Sequence, residues 1–154
     1  MITILAKIKA LYNDSKRYHW QCNGKDFNGD HQLFDRAAGT FSNDVVDGLV
    51  EIYYMGEHRE ELEDLNELAV LVSEEEGYKF SEEELHQENV NLQMVQELAS
   101  KIEELLPLLN EEGKYSQAIM NKLDELSSAT TQILGLLRAR ISNNVVMSKL
   151  QRLF

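Results

Sequence analysis

The sequence predicts an all-α protein of four long helices, with a short helix between the second and the third. Apolar residues recur at helical spacing along most of the chain, and no segment has the strict alternation of a half-buried strand. Only one proline and eight glycines interrupt these stretches. With 154 residues, 43% of them hydrophobic, the chain is long enough to bury a proper core. We therefore expect a single domain over 1–154, with 142–154 as a candidate C-terminal tail.

The first two long helices are predicted over 2–22 and 28–55. The first has apolar residues at Ile4, Ile8 and Leu11, and it leads into an Asn-Gly-Lys-Asp turn at 23–26. The second is expected to end or bend at Gly56, because glycine is common just past the C-terminus of a helix. A shorter amphipathic helix is predicted over 57–72, followed by a polar loop over 73–80.

Two more long helices follow. Ser81 and Glu84 match a capping box, in which the serine caps the helix and the glutamate three residues later bonds back to it. We expect the helix they open to run over 81–109 and to kink or end at Pro107, since proline has no amide hydrogen. The last long helix is predicted over 115–141, with Asn143 and Asn144 breaking it. A long crossover between the second and third long helices is the topology of a ferritin-like four-helix bundle.

The charge of the chain narrows the classes of function. A net charge of −12 argues against nucleic acid as the default partner, because neutralising phosphates needs surplus lysine and arginine. After Glu125 the chain is basic, and this segment either contacts DNA or, as is more common, pairs with acidic neighbours. The sequence has no apolar run that could span a bilayer, and it does not open with a signal-peptide pattern. Its single cysteine, Cys22, excludes an intrachain disulfide. We expect a cytoplasmic protein that does not enter membranes.

Two histidines and an aspartate give the strongest chemical signal. His19 and His31 bracket the predicted turn between the first two helices, and Asp35 follows His31 by one helical turn. Because this turn folds one helix back on the other, the two imidazoles are expected to approach each other. Imidazole and carboxylate together suit iron or zinc at a helix–helix interface. The remaining histidines, His58 and His86, lie in acidic segments and are expected on the surface.

Three short motifs around these residues resemble the signature of Dps proteins, the starvation-induced mini-ferritins. They are Tyr18-His19-Trp20, Gly24-x-x-Phe27 and His31-x-x-x-Asp35. The resemblance implies a homododecamer with a hollow interior. It also implies a ferroxidase, which oxidises Fe(II) with hydrogen peroxide or oxygen and stores the ferric mineral inside. Such a protein protects the cell against oxidative damage. It implies iron sites at two-fold interfaces, with His19, His31 and Asp35 as the iron ligands from one subunit.

The resemblance also implies an aspartate and a glutamate from the partner subunit. Asp47 and Glu51 have the required spacing, but they lie one residue further from Asp35 than in the family pattern. The apolar stripe of the second helix drifts by about 90° in its middle, close to the ~100° that one residue contributes. We therefore predict one extra residue, absorbed as a π-bulge near 39–44, which returns both carboxylates to the ligand side. Trp20 adjoins the site in the family and is expected to take up a stray oxidising equivalent there, although simple packing explains it equally well.

Two other functions stay open from the sequence. One is a DNA-compacting, Dps-like protein whose iron chemistry is vestigial. Many Dps proteins bind DNA through a lysine-rich N-terminal arm, but here only Lys7 and Lys9 lie near the start, so DNA binding is doubtful. The other is a non-catalytic helical scaffold with a degenerate iron site. Fe(II) oxidation separates the scaffold from the ferroxidase, and a gel shift at low salt tests binding to DNA.

Overall fold

The computed structural model describes residues 1–111 and 113–153, although not the side chains of 144–149 and 151–153. Over these residues the chain is helical and contains no β-strand, as the sequence predicts. The helices are α1 Ile2–Gln21, α2 Phe27–Thr40, α3 Asp44–Tyr54, α4 Leu65–Glu76, α5 Glu82–Leu85, α6 Val90–Leu109 and α7 Gln117–Leu153, with a 3-10 helix at Arg59–Asp64. In this described part, no helix combines the length and the apolar composition needed to cross a membrane.

The long helices share one hydrophobic core. α1 packs against α2, α4 and α6, whereas α7 packs against α2, α3 and α6. The apolar stripes that predict the helices are the faces buried between them. The largest fully buried side chains are Tyr18, Phe34, Ile8, Leu49, Met94, Leu98, Ile102, Leu105, Leu109, Leu123, Leu126 and Ile133.

The second predicted helix is in fact two helices. α2 ends at Thr40 and α3 begins at Asp44, so residues 41–43 form a turn. The side-chain oxygen of Asn43 accepts hydrogen bonds from the backbone amides of Val45, at 3.0 Å, and Val46, at 3.2 Å. The predicted π-bulge is therefore wrong. The chain breaks completely here, because Asn43 satisfies the first amides of a new helix and the residues before it are weak helix formers.

We expect Asn43→Ala to lower the free energy of unfolding by about 1 kcal/mol, since it removes the oxygen that caps α3. Asn43→Asp is the matched control and should keep most of the stability, because aspartate caps helices about as well as asparagine. Urea unfolding of both variants measures the difference. If Asn43→Ala lowered the free energy of unfolding by no more than Asn43→Asp does, packing rather than the cap would maintain the helix break.

Two predicted helix boundaries agree with the structure. α3 ends at Tyr54, and Gly56 follows it with a φ of 90°, a left-handed conformation that glycine adopts without strain. The capping box is also confirmed: the Ser81 side chain accepts from the backbone of Glu84, whose side chain accepts from the backbone of Ser81. This box opens only the one-turn helix α5, however, and the long helix α6 begins at Val90 and ends two residues past Pro107.

The C-terminal helix is longer than predicted. α7 continues to Leu153, so Asn143 and Asn144 do not break it. Asparagine costs well under ~1 kcal/mol in a helix, which an established helix tolerates. The backbone of the candidate tail is thus helical as far as Leu153, and Phe154 lies outside the described residues. The short helix predicted over 57–72 is displaced along the chain, because the 3-10 helix at Arg59–Asp64 precedes it and α4 runs over Leu65–Glu76.

Candidate metal centre

His19 and His31 stack face to face at the turn between α1 and α2. Their ring centroids lie 3.6 Å apart and their planes differ by 17°. His19 belongs to the last turn of α1 and His31 to the start of α2. Gly24 lets the chain reverse between them, since its φ of 78° is left-handed. The structure therefore brings the two predicted imidazoles together.

Each imidazole is held by the backbone of the other histidine. The Nδ1 atom of His19 lies 2.7 Å from the carbonyl oxygen of His31, and Nδ1 of His31 lies 2.7 Å from the carbonyl oxygen of His19. Because a carbonyl oxygen only accepts hydrogen bonds, each Nδ1 is the donor. A neutral ring of this tautomer has its lone pair on Nε2, which is the state in which histidine binds a metal.

A buried polar cluster fixes the turn that bears the two histidines. Asp30 is buried, and it accepts hydrogen bonds from Arg140 of α7 at 2.8 and 3.1 Å and from Asn91 of α6 at 3.0 Å. Asn91 also accepts from the backbone amide of Asn23, at 3.0 Å, and donates to its carbonyl oxygen, at 2.7 Å. The start of α2, and with it His31, is thereby tied to two helices that are distant in sequence.

The sequence alone assigns no role to Asp30 or Asn91, because an aspartate in the first turn of a helix is explained by the helix dipole. The predicted pairing of the basic C-terminal segment is confirmed for Arg138 and Arg140 of α7. Arg140 binds Asp30, and Arg138 lies 3.0 Å from Glu103. Lys149 and Arg152 fall among the side chains that are not described.

Two aromatic residues belong to the segments that carry the imidazole pair. Phe27 stacks on His31, with ring centroids 4.7 Å apart and planes at 26°. Trp20 follows His19 and is 73% exposed, so packing within its own chain leaves most of the indole uncovered.

Asp35 is near the pair but is engaged elsewhere. Its Oδ1 atom lies 2.9 Å from Nζ of Lys16, and its side chain is exposed. The hydrogen bond from Lys16, followed by the charge of Lys16, lowers the pKa of Asp35, and the two imidazoles add a smaller lowering. The carboxylate is therefore ionised at neutral pH. An exposed ion pair of this kind contributes little to stability.

Asp47 and Glu51 lie one turn apart on the exposed side of α3. Asp47 borders a groove that is also lined by Leu5 and Lys9 of α1. His19 is ten residues beyond Lys9, which is about 15 Å along a helix. Among the described residues, neither carboxylate is grouped with the imidazoles in a cluster that could hold a metal ion.

The single cysteine does not add a ligand. Cys22 is buried at the end of α1, and its Sγ atom lies 3.6 Å from the carbonyl oxygen of His19. Burial raises the pKa of its thiol to about 11, so at neutral pH it is protonated, and a protonated thiol is a poor metal ligand.

Each chain therefore presents two separate sets of candidate ligands. Over residues 1–111 and 113–153, leaving aside the undescribed side chains, no three His, Cys, Asp or Glu residues are grouped so that they could hold a metal. One set is the imidazole pair with Asp35 nearby, and the other is the carboxylate pair on α3.

No protein-family model matches this chain, and no curated protein or solved structure matches it either. The resemblance to Dps proteins accordingly depends on the motifs between Tyr18 and Asp35.

Proposed function

We propose that this protein is a Dps-like mini-ferritin, a ferroxidase that oxidises Fe(II) and stores the ferric product. The observation that supports this most directly is the stacked His19–His31 pair, in which reciprocal Nδ1 hydrogen bonds present two Nε2 lone pairs. Metal-binding histidines are commonly oriented in this way, by a carbonyl or carboxylate that accepts from the second ring nitrogen. The buried Asp30 cluster keeps this orientation without needing a metal.

In this proposal the second copy of the chain supplies Asp47 and Glu51. Together with His19, His31 and Asp35 they form a mixed nitrogen and oxygen ligand set, which suits Fe(II) and leaves positions for water and peroxide. Three carboxylates also neutralise the charge that accumulates when iron is oxidised. The site is thus complete only at an interface between two copies.

The chemistry transfers two electrons to peroxide. Each of two Fe(II) ions loses one electron, the O–O bond of hydrogen peroxide breaks, and two hydroxide ions form. His19 and His31 bind and position the iron, while Asp35 and Glu51 bridge or neutralise it. If only one electron is transferred, a hydroxyl radical is left. Trp20 then supplies the missing electron, and with a proton the radical becomes water. Oxygen is the alternative oxidant.

The rest of the chain fits this role. Within the proposal, α1, α2 with α3, α6 and α7 are the long helices of a ferritin-like four-helix bundle, and α4 is the crossover helix. Twelve copies enclose a cavity for the mineral. The net charge of −12 attracts Fe(II) from solution. A cytoplasmic location stays a prediction from the sequence.

We expect the double variant Asp47→Asn, Glu51→Gln to bind Fe(II) at least ~10-fold more weakly, since two charged ligands are lost. The measurement is the initial rate of ferric product formation against Fe(II) concentration, with peroxide added to anaerobic protein. Asp44→Asn is the control, because it removes a carboxylate from the exposed side of the same helix. If the double variant bound Fe(II) as tightly as Asp44→Asn, the ligands supplied by the second copy would not be Asp47 and Glu51.

The same assay decides between the proposal and the scaffold alternative. A ferroxidase oxidises iron well above the rate in buffer, and light scattering gives a particle of twelve times the chain mass of 17.7 kDa. No oxidation above the buffer rate in the native protein would favour a scaffold. A gel shift at low salt that detects DNA binding would instead favour the compaction alternative.

A further inference from the structure

Tyr78, in the loop after α4, donates its phenol hydrogen bond to a carboxylate. Its hydroxyl oxygen lies 2.5 Å from Oε2 of Glu84, and this hydrogen bond lowers the pKa of Glu84, so the carboxylate is ionised at neutral pH. A phenol that loses an electron becomes a strong acid, and it is oxidised easily only where a base takes its proton. Glu84 is in place to act as that general base.

The capping box holds the base in position. Oε1 of Glu84 accepts from the backbone amide of Ser81 at 3.0 Å, and Oγ of Ser81 accepts from the backbone amide of Glu84 at 3.2 Å. The backbone of Tyr78 is held as well, because its carbonyl oxygen accepts from Tyr18 and from Arg17 of α1, each at 3.2 Å. The donor and the acceptor of the proton are therefore both fixed before any reaction.

Aromatic rings link Tyr78 to the core of the bundle. Phe80 packs edge-on against both Tyr78 and Tyr18, with ring centroids 4.8 and 5.9 Å away. Tyr18 immediately precedes His19 in α1, and Trp20 follows. Packed rings thus connect the surface loop to the end of α1 that bears the imidazole pair.

The two tyrosines on this path differ in whether they can lose a proton. Tyr18 is buried and its hydroxyl faces a carbonyl oxygen, which does not take up a proton, while the guanidinium of Arg17 lies 5.1 Å from its ring and opposes positive charge there. Tyr78 has its carboxylate and is 42% exposed. All six tyrosines lie in the described part of the chain, and Tyr78 is the exposed one among them. An oxidising equivalent therefore passes Tyr18 and comes to rest on Tyr78.

We infer that Tyr78, with Glu84 as its proton acceptor, is the outlet through which an oxidising equivalent on Trp20 leaves the protein. The inference rests on the proposed function, in which Trp20 gives an electron to a hydroxyl radical. The oxidised indole, having lost its Nε1 proton to solvent, takes one electron from Tyr78 and regains a proton from solvent. The phenol proton of Tyr78 passes to Glu84.

The outlet is completed by a small soluble reductant, such as a thiol or ascorbate. At the exposed Tyr78 it gives one electron to the phenoxyl radical and becomes a radical itself, while Glu84 returns the proton. Trp20 is the only tryptophan of the chain, so without an outlet a single radical would consume it. With one, the indole is restored for the next reaction.

The test starts from Trp20 and needs no iron. Azide radicals made by pulse radiolysis oxidise tryptophan in preference to other side chains, and the single Trp20 makes the starting point unique. We expect the absorbance of the tryptophanyl radical to convert into that of a tyrosyl radical. The rate should not depend on protein concentration, because the transfer occurs within one chain.

Two variants separate the electron donor from the proton acceptor. Tyr78→Phe removes the donor, and Glu84→Gln keeps an oxygen that accepts the hydrogen bond but cannot take the proton. Each should slow the conversion at least ~10-fold, since a general base commonly contributes 10²–10⁴-fold. Tyr12→Phe is the control and should leave the rate unchanged, because it removes a different tyrosine from α1, the helix that carries Trp20. Circular dichroism verifies that each variant is folded.

A tryptophanyl radical that decays equally fast in the native protein and in Tyr78→Phe would overturn the inference, as would an unchanged rate in folded Glu84→Gln. Fe(II) oxidation by the native protein is measured separately. Oxidation of iron without transfer to Tyr78 contradicts only the outlet, whereas transfer to Tyr78 without oxidation of iron supports the outlet and contradicts the proposed function.

Discussion

Replacing His31 by alanine should reduce the initial rate of Fe(II) oxidation at least ~100-fold, without unfolding the protein. Loss of a residue that only supports a ligand costs 10–100-fold in metal affinity or activity, so loss of a ligand should reach the upper end of that range. Two effects combine here. The variant loses one Nε2 donor, and it frees the ring of His19, whose stacking partner lies 3.6 Å away.

His86→Ala is the matched control for this prediction. His86 also places Nδ1 2.7 Å from a backbone oxygen, that of Glu82, but it stands alone on the surface. Both variants are compared by the absorbance of the ferric product after peroxide addition, and by circular dichroism. An unchanged rate for His31→Ala, with a folded protein, would remove the imidazole pair from the iron site and with it the proposed function.

The second large effect concerns stability, and it arises far from the histidines. Asp14 of α1 is buried, and its carboxylate lies 3.1 Å from Nζ of Lys101, 3.1 Å from Nη1 of Arg17 and 3.0 Å from Oγ of Ser73. It thus links α1 to α6 and α4. We expect Asp14→Ala to lower the free energy of unfolding by about 3–5 kcal/mol, because Lys101, whose side chain is only 10% exposed, would lose its charged partner.

Urea unfolding tests this expectation. The urea concentration at the midpoint should fall, and the dependence of the unfolding free energy on urea concentration should stay the same. Asp124→Ala is the control, since Asp124 is exposed on α7 and its loss should change the free energy of unfolding by no more than about 0.5 kcal/mol. If Asp14→Ala cost less than about 1 kcal/mol, the buried cluster would be relaxing or admitting water. The contacts of Asp14 would then not be what joins these three helices.

Much of the fold was predictable because helices depend on neighbours within a few residues. The helical spacing, the end of α3 before Gly56 and the capping box of Ser81 and Glu84 are all local, and the structure contains each of them. The break at 41–43 was predictable only in part. The drift of the apolar stripe locates it, but whether the chain bulges or breaks depends on how α1 and α7 pack against the two segments.

By itself the sequence determined the helical class and singled out His19, His31 and Asp35 near the first turn as candidate metal ligands. Only the tertiary structure decided that the imidazoles stack, which nitrogen of each is the donor, and that Asp30 is anchored by residues 61 and 110 positions away. The physical reason is desolvation. A buried carboxylate or imidazole is oriented by whichever polar groups the packed helices place around it, and no spacing along the chain specifies those groups.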